Sequence, residues 1–222
     1  MTPVTAETGN PLDDWVNLPP GSFVTLTDAQ ALEDSQKRGS GLRGIDYKVE
    51  SIGVVKDFEG FATWVLAHLD DGHQKLLLMV KGDETHVDHR VYYATEDFRP
   101  AKRENVVNRG DTWLFEPPEE GQPVRPAHLR YTAEIPYTIE GQELLYVRKE
   151  HGERHGEFTE KPGFSGLGDQ VATVVEYFTT DPTDNPELLI LEIATANSKT
   201  GEVSMYFGCP IRASEASIVK AA

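Results

Sequence analysis

A chain of 222 residues that is 38% hydrophobic can bury one substantial core, and 37 Asp and Glu against 21 Lys and Arg leave a formal net charge of −16. A field of that sign repels nucleic-acid phosphates and anionic lipid headgroups. It argues against direct nucleic-acid binding and generic membrane-surface binding, and favours a protein partner with a basic segment or a cationic small molecule.

Cys209 is the single cysteine, so no internal disulfide can form. Between Gly208 and Pro210 it reads as a buried, inert thiol. The first residues, MTPVTAETGNPLDDW, lack the basic start and apolar run of a signal peptide, and the longest apolar run, Leu76 to Val80, is too short to cross a bilayer. The expectation is a cytoplasmic protein without membrane insertion.

In chain order, residues 1–18 are polar and without periodicity, which predicts a mobile lead-in with Trp15 as its available anchor; residues 19–222 form one β-rich domain. Ser22 to Thr27 alternates as a strand, and Thr27-Asp-Ala-Gln30 offers a capping box for a short helix through about Gln36. A glycine-containing loop, Lys37 to Gly44, follows. Strands are predicted at Ile45–Lys56, Phe61–Leu69, Gln74–Lys81 and His86–Ala94, separated by Asp57 to Gly60, Asp70 to Gly72 and Gly82 to Glu84, each with turn chemistry. The 61–69 strand is apolar on both faces, so it is expected to be central and covered on two sides.

Thr95 to Pro126 is charged and proline-rich, with Glu116-Pro-Pro-Glu-Glu-Gly121 unable to supply a central strand, and reads as a connection. Trp113, Leu114 and Phe115 are expected to tuck it against the core. Beyond it, Tyr131–Ile139 and Glu143–Arg148 predict a hairpin, and a polar loop then carries Gly152, Gly156, Gly163, Gly166 and Gly168. Val171–Thr180, Glu187–Thr195 and Glu202–Gly208 close the chain as strands. The fold class is mainly β: antiparallel meanders packed as a sandwich or partly open barrel, with one short helix. Similar order in Ser51–Val80 and Val171–Phe207 has two readings, a duplication giving two packed halves (about 19–95 and 127–222) or the general likeness of meanders.

Few residues suggest chemistry. Asp83-Glu-Thr-His86-Val-Asp88-His89 is dense in potential metal ligands, but a strand would put Glu84, His86 and Asp88 on one face and Asp83 and His89 on the other. His151 and His155 have helical spacing without the glutamate of the zinc-protease pattern, and two glycines favour a solvated loop. Gly163-Phe-Ser-Gly166-Leu-Gly168 precedes a strand, where a phosphate-binding loop would follow one. Arg99-Pro-Ala-Lys102-Arg103 reads as balancing nearby acids. No catalytic, cofactor-binding or metal-binding residue is assigned, no cofactor is expected, and an enzyme is disfavoured.

The pieces Gly21-Ser-Phe-Val24, Tyr47 to Val54, Thr63-Trp-Val-Leu66, the Ile139 to Arg148 hairpin, Glu187 to Glu192 and Met205-Tyr-Phe-Gly208 come in an order that resembles a bacterial family of unknown function, the DUF4178 type, similar to YjfK-like proteins. The resemblance extends over nearly the whole chain. It implies an accessory role in a membrane-stress or polyamine-linked system and brings no site residues with it. The expected function is therefore a non-enzymatic interaction or assembly module. The alternative is a protein or enzyme that binds a polyamine-like cation between the halves, using Trp64, Tyr92 and Tyr177. An acidic DNA mimic comes third.

Overall fold

The computed structural model describes residues 12–27, 46–73, 75–82, 86–93, 115–116, 125–126, 130–139, 142–162, 170–180, 187–195, 198, 201–212, 214 and 216–221. The alternating and doubly apolar stretches become β1 (Phe23–Leu26), β2 (Asp46–Asp57), β3 (Thr63–Asp70), β4 (Lys75–Gly82) and β5 (Val87–Tyr93). After a short pair, β6 (Phe115–Glu116) and β7 (Arg125–Pro126), come β8 (Glu134–Ile139), β9 (Gln142–Lys161), β10 (Gln170–Thr179), β11 (Glu187–Thr195), β12 (Glu202–Ile211) and β13 (Ala216–Val219).

The large sheet runs β13-β1-β2-β3-β4-β5-β12-β11-β10-β9-β8, and a further pairing of β2 with β9 closes it. Strands β2 to β5 and β9 to β12 thus form a closed eight-stranded antiparallel barrel, in which each strand pairs with a neighbour on both sides along at least part of its length. It is made of two meanders joined first strand to first strand, Val55 opposite Phe158, and last to last, Cys209 opposite Val91.

Which face lies inside follows from one ion pair. Lys81 on β4 and Glu176 on β10 are four strands apart in either direction round the ring, yet Nζ and Oε1 are 2.5 Å apart. Those side chains meet only across the lumen. Residues of the same parity, including Trp64, Leu66, Leu77, Met79, Tyr92, Val174 and Leu189, form a buried cluster there. The ring of Phe158 fills the space over Gly53, whose added Cβ would stand 2.8 Å from it. The lumen is packed with the chain's own side chains.

Alternate residues face outward and are buried as well. Val65, Ala67, Leu78, Val91, Ile190 and Phe207 belong to a second cluster that includes Leu12, Trp15, Leu18, Val24, Tyr131 and Ile135. The two-sided burial expected of the third strand is present, all eight of its positions paired to β4 within a strand whose centre is wholly buried.

Three sequence expectations need correction. Residues 12–18 are not a mobile lead-in: α1 (Asp13–Val16) lies on the outer wall with Leu12, Trp15 and Leu18 buried. Residues 149–161 are not a loop but the second part of β9. A last strand, β13, pairs with β1, Val219 opposite Phe23. The helix expected to about Gln36, the basic cluster at 99–103, Trp113 and Leu114 fall outside the described residues.

The α1 contact titrates. His89, buried on the outer face of β5, meets the Trp15 ring edge-on at 5.2 Å between centroids. Burial pushes its pKa below the ordinary value, against a smaller upward pull from Asp88. Burial lowers His68 too, against the pull of Glu160 and Glu50. The folded state holds both imidazoles neutral, so stability is complete above the unfolded value of about 6.5 and falls as pH drops below it, when the unfolded chain takes up protons first. Calorimetric melting from pH of about 8 down to about 5 is expected to show a falling Tm, with a shallower fall in His89→Gln. An identical slope in that variant would remove His89 from the account.

Candidate functional site

The local chemistry of Lys149-Glu-His-Gly152 bends β9. His151 has φ 54°, a region that residues other than glycine rarely adopt. On β10, Val175 faces Glu153 and Tyr177 faces Arg148, so four residues of β9 stand opposite Glu176 alone. The bulge has a topological consequence. On the side of β9 away from β10, β2 pairs with residues 156–161 and β8 with residues 142–147. Between them the strand edge runs without a described strand partner and opens into a cleft of about 570 Å³.

Asp57, Phe58 and Glu59 of the β2–β3 turn form one wall of the cleft, Ala133 and Glu134 another, and Val147 to His155 the floor. Arg148 and Arg154 are held by carboxylates, Nη1 of each lying 2.7 Å from Glu153 and 2.6 Å from Glu59 respectively. Lys149 turns to the lumen side, 2.8 Å from Glu187 and 3.6 Å from Glu176. Glu134 and Glu150 stand exposed on the rim.

Beneath the rim lies a buried polar layer. The Glu153 carboxylate accepts from the backbone N–H groups of Arg130 (2.7 Å) and Tyr131 (3.1 Å) and from Arg148. Burial raises its pKa, and those donors offset only part of the rise. Tyr131 donates its hydroxyl to buried Glu192 at 2.7 Å, and the backbone N–H of Gly201 reaches the other oxygen at 3.0 Å. These two glutamates pin the chain before β8 onto the barrel wall.

His155 Nδ1 is 3.0 Å from Thr173 Oγ1, and its Nε2 is 3.7 Å from Glu153. A hydroxyl, an imidazole and a carboxylate in this order have the makings of an activated nucleophile. Thr173, however, is completely buried within the barrel wall, so no substrate carbonyl reaches its oxygen. Thr173 and His155 bond to one another in the wall, while the Glu153 carboxylate is engaged by Arg130 N–H, Tyr131 N–H and Arg148. His155 is accordingly not the solvated loop residue that its glycine neighbours suggest; His151 is the exposed member of the pair.

Of the aromatic residues expected to bind a cation, Trp64 and Tyr92 do come together in the lumen, whereas Tyr177 points outward and donates to the Thr132 carbonyl at 2.9 Å. The lumen pair already has its cation. Lys81 Nζ sits 5.4 Å from the Trp64 ring centre while bonded to Glu176, which also accepts from Trp64 Nε1 at 3.2 Å. Arg90 and Lys149 complete the network through Glu187, each at 2.8 Å.

At the start of β5, His86 just before the strand and Asp88 within it are in contact at 3.1 Å and exposed, while His89 lies on the opposite face. Among the described residues no group of three His, Cys, Asp or Glu is placed to hold a metal ion. No described helix is long and apolar enough to cross a membrane. Comparison with protein-family models, curated proteins and solved structures finds no match to this chain.

Proposed function

We propose that the chain is a non-enzymatic interaction module that docks a basic segment of a protein partner in the cleft at the β9 bend, in the accessory role that the family resemblance implies. The supporting observation is the charge on the rim. Arg148, Lys149 and Arg154 are each engaged by a carboxylate of the chain, and Glu134 and Glu150 project into solvent with no Lys or Arg partner among the described residues. An ammonium or guanidinium entering there meets the carboxylate of Glu134 and that of Glu150, which has the exposed His151 imidazole 3.8 Å away, within a protein of net charge −16.

A small polyamine-like ligand is the second reading, and one observation weighs against its expected location: the Trp64–Glu176 site is filled by Lys81. A DNA mimic is less favoured, since the cleft's carboxylates surround a concavity rather than follow a strand of phosphates.

Fluorescence anisotropy with a labelled oligo-arginine peptide tests the proposal. Saturable binding that weakens with added salt and drops about tenfold in Glu134→Gln/Glu150→Gln is expected. Binding unchanged by that double variant would overturn the assignment of the cleft. One-to-one binding of spermidine with no peptide binding would favour the small-ligand reading.

A further inference from the structure

We infer that the partner segment enters the cleft as an added β-strand, filling the gap that the bulge leaves along the edge of β9; this rests on the proposed function just given.

The argument comes from strand pairing. Strands β2 and β8 both lie antiparallel to β9 on its same side, β2 ending with Asp57 opposite Gly156 and β8 beginning with Glu134 opposite Val147. They are successive pieces of one interrupted row. The bonds that bracket the interruption are Phe58 N–H to the His155 carbonyl, 3.0 Å, and Arg148 N–H to the Ala133 carbonyl, 2.8 Å. Between these brackets β9 has described neighbours on its β10 side, and on the other side it faces the cleft.

Across β9 the interruption corresponds to Val174, Val175 and Glu176, so an extended segment of about three residues spans it. It would pair its main chain with β9 and restore the row. Alternate side chains of an added strand point to opposite faces, so basic residues at every second position would share the rim face with Glu134 and Glu150. Charge thereby selects the partner, and the strand edge supplies the bonding that is independent of sequence.

The test uses an alternating arginine–valine octapeptide and the same peptide with alternate backbone nitrogens methylated, which keeps every charge and removes main-chain donors. Amide hydrogen exchange is followed across Lys149 to Arg154. The expected result is slowing of at least about tenfold in that stretch on binding, with an affinity loss of about tenfold or more on methylation. Tight binding of both peptides with no slowing would overturn the added strand and leave side-chain docking in the cleft intact. Failure of both peptides to bind would overturn the proposed function together with the inference.

Discussion

Glu176→Gln is expected to destabilise the fold by about 3 kcal/mol, because it removes the anion around which the lumen's cations are arranged. The Glu176 side chain is 3% exposed and accepts from Lys81 and Trp64 Nε1, with Lys149 close by. Burial alone would raise its pKa. The charges of Lys81, Lys149 and Arg90 outweigh burial and hold it below the ordinary carboxylate value. A depressed pKa contributes stability that is present above the unfolded value of about 4.5 and is lost as pH falls through the folded one. Two controls separate charge from packing. Lys81→Met alone leaves Glu176 with less compensation and is expected to cost about 2 kcal/mol, discounted because Lys81 is 29% exposed. Glu176→Leu/Lys81→Met removes both members of the pair and is expected to recover most of the loss, since an apolar pair needs no compensation. Urea unfolding at neutral pH reads all three variants. A Glu176→Gln chain within 0.5 kcal/mol of the parent, a limit at about the noise of surface substitutions, would mean that the network is solvated and not structural.

The strands themselves were legible where apolar residues alternate or run in blocks. Glu187 to Thr195 appears with the bounds predicted, and the strands of the first meander are displaced by one or two residues at their ends. Two short elements were invisible for the same reason: α1 and β13 have four residues each, too few to establish a period, and their place depends on tertiary burial of Trp15 and pairing with β1. The second part of β9 was misread because glycine and charge usually mark loops. Here the Glu153 side chain is buried because backbone donors await it, and Gly156 is a strand glycine at a close approach to β2.

The candidate site was less legible than the fold because it is made by closure. Lys81 and Glu176 are 95 positions apart in sequence, and nothing local in either strand announces the other. One weak signal was available: a single glutamate inside the apolar run Val171-Ala-Thr-Val-Val-Glu176-Tyr-Phe, at a position whose neighbours of like parity are buried, demands a buried cation. Trp64, Tyr92 and Tyr177 read from the sequence as aromatic walls for an incoming cation, whereas the lysine that sits against the Trp64 ring while bonded to Glu176 has no such signal. The cleft had no signal in composition, since it exists only because β2 stops at Asp57 and β8 starts at Glu134 along the same strand.

At the closing seam a single methyl group is expected to do severe damage. Strands β2 and β9 pair from Ile52 opposite Lys161 to Asp57 opposite Gly156, and this register alone turns an open sheet into the barrel. A Cβ at Gly156 would overlap the carbonyl of Lys56 and press on the Asp57 nitrogen at 3.0 Å. Those atoms are backbone within the seam, so no change of rotamer relieves the clash; the strands must separate. Gly156→Ala is expected to cost about 3 kcal/mol, at the upper end of overpacking effects, and to raise hydrogen exchange along Ile52 to Asp57 before the rest of the barrel. Gly53→Ala is expected to cost less, about 1 to 2 kcal/mol, because its obstacle is the movable Phe158 ring. Gly60 supplies the other comparison: its φ is +77° and nothing lies within 4 Å of an added Cβ, so alanine there bears only the backbone cost of about 1 kcal/mol. The expected order of destabilisation is therefore 156, then 53, then 60. A Gly156→Ala chain as stable as Gly60→Ala, with unchanged exchange across the seam, would show that β2 and β9 approach less closely than this structure has them.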